Sequence, residues 1–116
     1  KLLILVDIEG FELEMLLGAK NILNLRPKPI WIIEISFSDY IPQNQKFKKT
    51  KKVFELMWSS GYRSYFADNN LIEFKKEDLA KILKRGVFSS LTSNFVFFDE
   101  KLNPEIRKNR LNYIKL

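Results

Sequence analysis

Apolar residues along the chain form either short unbroken runs or spaced stripes, and the two patterns predict different elements. Residues 2–6 are five consecutive apolar residues that end at Asp7. An unbroken run bounded by a charge is typical of a strand buried on both faces of a sheet. After the run, apolar side chains recur at three- and four-residue steps, which predicts one helix lying against that sheet. These helical positions are Phe11, Met15, Leu16, Ala19, Ile22 and Leu23.

A second apolar run, residues 30–35, follows Pro27 and Pro29, which stop the helix and favour an extended chain. Two buried strands joined by one helix form a right-handed unit with parallel strands. The carboxyl ends of parallel strands lie at the same edge of a sheet, so we expect Asp7 and Glu34 to be neighbours. Gly18, inside the predicted helix, is expected to allow a close approach of helix to strand.

With the first two strands and their helix, the remaining pattern predicts the order β, α, β, α, β, turn, short helix, β, α. Residues 36–50 are polar without a clear period and predict a long mobile loop. A helix through Val53, Phe54, Met57 and Trp58 should end at Gly61, and a strand at 62–66 should turn into a hairpin with 71–74. A short helix before Gly86, a buried strand at 94–98 and a helix starting at Asn103 complete the chain. The pattern alone predicts an α/β domain with a mainly parallel sheet.

The amino-acid composition limits the metal-binding and acid–base chemistry that the chain can perform. The chain has 116 residues, 46% of them hydrophobic, which predicts one folded domain or part of one. It contains no Cys and no His, so a disulfide framework and the usual zinc and iron ligands are excluded. Acid and base chemistry is therefore left to carboxylates, Lys and Tyr. No apolar run reaches the roughly 20 residues of a membrane span, and no signal peptide opens the chain, so we expect a cytoplasmic protein with no membrane partner.

The net charge of +6 is concentrated in residues 46–52, where five lysines surround Phe47. Such a cluster is compatible with phosphate contacts to nucleic acid, or with an acidic or phosphorylated acceptor. Five lysines without interleaved Gly, Arg or several aromatic residues are more typical of a solvated loop, so nucleic acid is the less favoured partner. An alternative function stays open on this basis. It is a noncatalytic α/β module that binds nucleic acid or an anionic partner through the loop from Lys46 to Lys52.

The string VDIEGFELEMLLGAKNIL, followed by RPKPIWIIEIS, resembles the signature of the FkbM family of S-adenosylmethionine-dependent methyltransferases. The resemblance covers about the first third of the chain. It implies a Rossmann-like class I methyltransferase sheet, of which this chain would form the C-terminal half, strands four to seven. The last strand would be antiparallel and inserted between the two before it. Residues 1–116 would then be a partial domain without the donor-binding N-terminal half.

The resemblance also implies site residues. The Asp-x-Glu-Gly stretch lies beside the donor and acceptor pocket in the family, which makes Asp7 and Glu9 the candidate catalytic residues. Glu34 across the edge and Gly10 at the turn are the candidate substrate-binding residues. Asp7 has a structural alternative, because a residue there could bond the N–H groups at the helix start. Glu34 could equally pair with a Lys or Arg.

Two other acids of this segment, Glu12 and Glu14, are expected to be solvated charges in the first helical turn, where they suit the helix dipole. Three nearby carboxylates could hold Mg²⁺. Their spacing is not diagnostic, and we predict no metal site.

The resemblance implies S-adenosylmethionine as cofactor of the full-length protein and a small-molecule acceptor, a hydroxyl of a sugar, polyketide or related metabolite. The four glycines are isolated, so the chain has no Gly-rich turn of the kind that grips a nucleotide. We therefore expect this chain alone to bind the cofactor weakly or not at all and to be inactive. The outer side of the first strand should be an open edge, which favours a dimer or aggregation.

Overall fold

The computed structural model describes residues 2–8, 10–35, 48–68, 70–85 and 93–101. These residues form a mixed α/β arrangement of one sheet with helices. In chain order the elements are β1 (Leu3–Val6), α1 (Glu12–Gly18), α2 (Lys20–Leu23), β2 (Ile30–Glu34), α3 (Lys48–Ser59), β3 (Tyr62–Phe66), β4 (Glu73–Phe74), α4 (Lys76–Arg85) and β5 (Asn94–Asp99). The helix predicted from Asn103 falls outside the described residues.

The sheet has the order β1-β2-β5-β3-β4. Strands β1 and β2 are parallel, whereas β5 is antiparallel to both of its neighbours, β2 and β3. Strand β4 pairs antiparallel with β3, which confirms the predicted hairpin. The expectation of a mainly parallel sheet is therefore wrong at the level of strand pairing. Strands β2 and β3 run in the same direction but do not pair with each other, because β5 lies between them.

One face of the sheet carries the main core. Alternate residues of the central strands, such as Ile33 and Phe95, lie on this face with the buried side chains of all four described helices. Phe54 of α3 is fully buried at the centre of this core. Its ring centroid lies 4.8 to 5.8 Å from four other rings, those of Trp58, Phe74, Phe95 and Phe97.

The opposite face carries a smaller cluster formed by Ile32, Tyr65, Val96 and Phe98. None of the described helices contributes a residue to this cluster. Towards the β1 edge of the sheet the side chains become exposed, and Leu5 is 61% exposed. The prediction that the first strand is buried on both faces is therefore wrong, because Leu3 and Leu5 lie on the face that none of the described helices covers.

The predicted first helix is divided into α1 and α2 at Ala19, whose φ of −112° and ψ of 28° are not helical. Gly18 ends α1 and is exposed. A Cβ atom placed on Gly18 would meet nothing within 4 Å. The expectation that Gly18 permits a close approach of helix to strand is therefore wrong.

A network of hydrogen bonds, here called the basal network, joins the amino ends of β2 and β3. The Tyr62 hydroxyl accepts a hydrogen bond from Trp31 Nε1 (3.1 Å) and donates one to the carbonyl oxygen of Leu23 (3.2 Å). Lys28 Nζ donates to the carbonyl oxygen of Ser60 (2.6 Å) and lies 5.0 Å from the centroid of the Tyr62 ring. Burial raises the pKa of Tyr62 and lowers the pKa of Lys28. These bonds satisfy polar groups that the core would otherwise leave unpaired.

Helix α3 begins at Lys48, inside the lysine cluster. The sequence prediction placed residues 48–50 in a loop, and that is wrong for these three residues. Lysine is a good helix former, and Thr50 is buried in the first turn of α3, which fixes the turn against the core. Residues 36–47, the rest of the predicted loop, lie outside the described residues. Among the helices that the structure describes, none has the length and apolar character needed to cross a membrane.

Candidate active site

The carboxyl ends of β1 and β2 bring two predicted site residues to the same edge of the sheet. The parallel register pairs Val6 with Ile33, so the residues that follow, Asp7 and Glu34, are next in line. Adjacent strands are about 4.8 Å apart. Asp7 is exposed and Glu34 is partly buried. We call this edge the rim.

Glu34 also has a neighbour from the other side of β2. The Ser93 hydroxyl donates a long hydrogen bond, 3.4 Å, to Glu34 Oε1. Asn94, the first residue of β5, lies opposite Glu34 in the antiparallel register. The amino end of β5 therefore supplies polar groups to the rim beside the ends of β1 and β2. Sequence reasoning did not select Ser93 or Asn94, because they lie at the start of β5, which is distant from β1 and β2 along the chain.

The turn that leaves β1 is centred on Gly10, which has a φ of +97°. The backbone N–H of Phe11 donates to the carbonyl oxygen of Ile8 (3.4 Å) and closes the turn. Residues that carry a side chain rarely adopt this φ, so glycine is the residue that fits here. A Cβ atom on Gly10 would meet nothing within 4 Å, which leaves open space beside its backbone. Glu9, the second candidate catalytic residue, lies outside the described residues.

The structure tests the alternative that Asp7 bonds the N–H groups at the start of α1. The N-cap position of α1 is Phe11, and no side chain caps this helix. Asp7 therefore does not cap α1, and helix capping does not explain an acidic residue at this position.

Glu12 differs most from the sequence prediction. The expectation of a solvated charge is wrong, because Glu12 is only 5% exposed. It lies four residues before Leu16, which is fully buried, so both residues share the helical face that packs on the sheet. No hydrogen bond or ion pair to another described residue is found for the Glu12 carboxylate. Glu12 lies one helical turn before Leu16, on the apolar stripe that also contains Leu23. This spacing was the sequence signal for its burial.

Glu14 is about half exposed and pairs with Lys49, with 2.6 Å between Oε1 and Nζ. The hydrogen bond from Lys49 is the main cause that lowers the pKa of Glu14. Lys49 Nζ also lies 5.8 Å from the centroid of the Phe11 ring, which is 63% exposed. These contacts join the first turn of α3 to α1. At least one lysine of the cluster therefore has a partner within the chain.

The described residues offer no group of three or more acidic side chains placed to hold a metal ion. What they do offer is two carboxylates, those of Asp7 and Glu34, at one edge of the sheet. Carboxylates in this position can accept a hydrogen bond from a hydroxyl group and take its proton.

The sequence matches the Methyltransferase FkbM domain family over residues 3–64, just over half of the chain. The matched segment runs from β1 to β3 and contains Asp7, Gly10, Glu12 and Glu34. Searches of curated proteins and of solved structures gave no significant match. Because the family match covers more than half of the chain and includes the rim, this chain belongs to the FkbM methyltransferase family.

Proposed function

We propose that this chain forms the acceptor side of an S-adenosylmethionine-dependent O-methyltransferase. The observation that carries the proposal is the placement of Asp7 and Glu34 at the ends of a parallel strand pair inside the matched segment. Ligands of open α/β sheets bind outside the carboxyl ends of the strands. The acceptor is a hydroxyl of a sugar, polyketide or related metabolite, held over the rim.

The strand order supports this assignment. Strand β5 comes last in the chain. In the sheet order β1-β2-β5-β3 it lies between β2 and β3 and is antiparallel to both. This is the arrangement that the resemblance implies for strands four to seven of a Rossmann-like methyltransferase sheet. Strand β4 is a two-residue addition at the other end.

The proposed roles follow from position. Asp7, with Glu9 two residues later, takes the proton of the acceptor hydroxyl as its oxygen is methylated. Glu34 and the backbone at Gly10 bind the acceptor. S-adenosylmethionine supplies the electrophilic methyl group when it is bound. The turn at Gly10 has a single glycine and leads into a seven-residue helix without a side-chain cap. It does not fit the Gly-rich nucleotide turn, and we propose that residues other than those of this chain bind the donor.

A methyl-transfer assay tests the proposal. The protein translated from the complete reading frame is incubated with methyl-labelled S-adenosylmethionine and a panel of methyl glycosides and hydroxylated polyketides. We expect label on an acceptor oxygen with the complete protein and none with the 116-residue chain. No transfer by the complete protein would refute the proposed activity. Micromolar binding of S-adenosylmethionine to the chain alone, measured by calorimetry, would refute the location of the donor site.

We also propose that the free edge of β1 pairs with a second copy of the chain. Strand β1 is first in the sheet order, and Leu3 and Leu5 are 43% and 61% exposed on one of its faces. An edge strand has unpaired N–H and C=O groups that favour such pairing. We expect light scattering to give a dimer for the wild type and a monomer for Leu5→Lys. Leu25→Lys, at an exposed position outside the strands, is the control and should remain dimeric. A monomeric wild type at high concentration would contradict the proposal.

A further inference from the structure

We propose that the buried carboxylate of Glu12 binds a hydroxyl group of the methyl acceptor. This inference rests on the proposed function, and it adds to the rim a residue from the helix-covered side of the sheet. Sequence reasoning assigned Glu12 to solvent. The structure places it 5% exposed, on the face of α1 that carries Leu16.

The position of Glu12 directs its side chain to the rim. It is the first residue of α1, the helix that follows the Gly10 turn. Side chains of a helix tilt towards its amino terminus. The side chain of Glu12 therefore points towards the amino-terminal end of α1. That end follows the carboxyl end of β1 along the chain. Asp7 and Glu34 lie at that same end of the sheet.

The energetics of this carboxylate favour a ligand. A buried polar group without a hydrogen-bond partner is destabilising, and a charged one more so. Among the residues that the structure describes, no donor is recorded within bonding distance of the Glu12 carboxylate. An apolar side chain would suit this position better if packing were its only role. A hydroxyl of the acceptor would supply the missing donor.

Phe11, the residue before Glu12, adds an exposed apolar surface at the start of α1. Its ring is 63% exposed directly before Glu12, with Lys49 Nζ 5.8 Å from the ring centroid. An exposed aromatic ring offers an apolar surface to a flat or cyclic ligand. An ionised carboxylate accepts hydrogen bonds and donates none. A ring that carries hydroxyl groups can use both an apolar surface and a hydrogen-bond acceptor, and it is the class of ligand proposed here.

Two variants of Glu12 test the inference through stability and binding. Glu12→Met is expected to raise the melting temperature of the chain by about 5 °C, because it removes a charge that lacks a partner. Glu12→Gln should raise it by less. The control Glu77→Gln changes an exposed glutamate in the first turn of α4 and should leave the melting temperature within about 1 °C. A residue with a purely structural role would give lower melting temperatures instead.

The same variants are then compared for binding and turnover. In the complete protein, we expect Glu12→Met to lower kcat/KM for the accepted hydroxyl compound about 100-fold, with the Glu77 variant unchanged. Calorimetry with methyl glycosides should show binding to the wild-type chain and at least 10-fold weaker binding to Glu12→Met. Lower melting temperatures in both Glu12 variants, or unchanged glycoside binding, would overturn the inference. If the wild type binds a glycoside but transfers no methyl group, the proposed activity fails and the role of Glu12 in binding stands.

Discussion

Phe54→Ala is expected to lower the free energy of unfolding by about 3 to 5 kcal/mol. Phe54 is fully buried, and four aromatic rings from α3, β4 and β5 lie within 5.8 Å of its centroid. Truncation removes the buried surface of the ring and leaves a cavity that rigid aromatic neighbours fill poorly. Such a loss is a large part of the stability of a domain of this size.

Urea denaturation followed by circular dichroism measures this loss. Phe11→Ala is the matched control, since it removes the same ring from a position that is 63% exposed. The control should change the unfolding free energy by less than about 0.5 kcal/mol. A cost below about 1 kcal/mol for Phe54→Ala would mean that the ring is not at the centre of the core.

Asp7→Asn is expected to lower kcat/KM for methyl transfer by about 10²- to 10⁴-fold in the complete protein, the usual range for a lost proton acceptor. The amide has nearly the same size as the carboxylate but cannot take the proton of the hydroxyl group. Asp7 is exposed and does not cap α1, so the melting temperature should change by less than about 1 °C.

The two readouts separate the roles of Asp7. If the residue served the fold, Asp7→Asn would lower the melting temperature and leave the activity of the folded fraction intact. Turnover within threefold of the wild type would remove Asp7 from the proposed mechanism. Glu77→Gln again serves as the exposed acidic control.

The positions of the strands and the pairing of β1 with β2 and of β3 with β4 follow from local pattern, but the pairing of β5 does not. The apolar runs locate β1, β2, β3 and β5 to within about one residue of their ends. The insertion of β5 between β2 and β3 joins residues at least 29 positions apart, and hydrophobic periodicity contains no information on such pairs. The break at Ala19 was missed for a related reason. The apolar stripe continues across it, and only the backbone angles reveal two helices.

The site could be predicted where it depends on a general rule. Parallel strands joined by a helix must end at one edge, and this placed Asp7 beside Glu34. Glu12 was missed because an acidic residue in a first helical turn is favourable in solvent, which is the simplest local interpretation. Its burial depends on how α1 packs against the sheet. A tertiary contact therefore overrides a local preference at the position proposed to bind an acceptor hydroxyl.

The basal network lies at the amino ends of β2 and β3, where Tyr62 and Lys28 hold the chain through bonds to Leu23 and Ser60. The acidic residues lie at the opposite, carboxyl ends. If the rim binds the acceptor as proposed, mutations that change the choice of acceptor can accumulate there without weakening the bonds that anchor the strands. A combinatorial library randomised around Asp7 should retain a high proportion of folded clones, which makes this end of the molecule the place to begin directed evolution of substrate range.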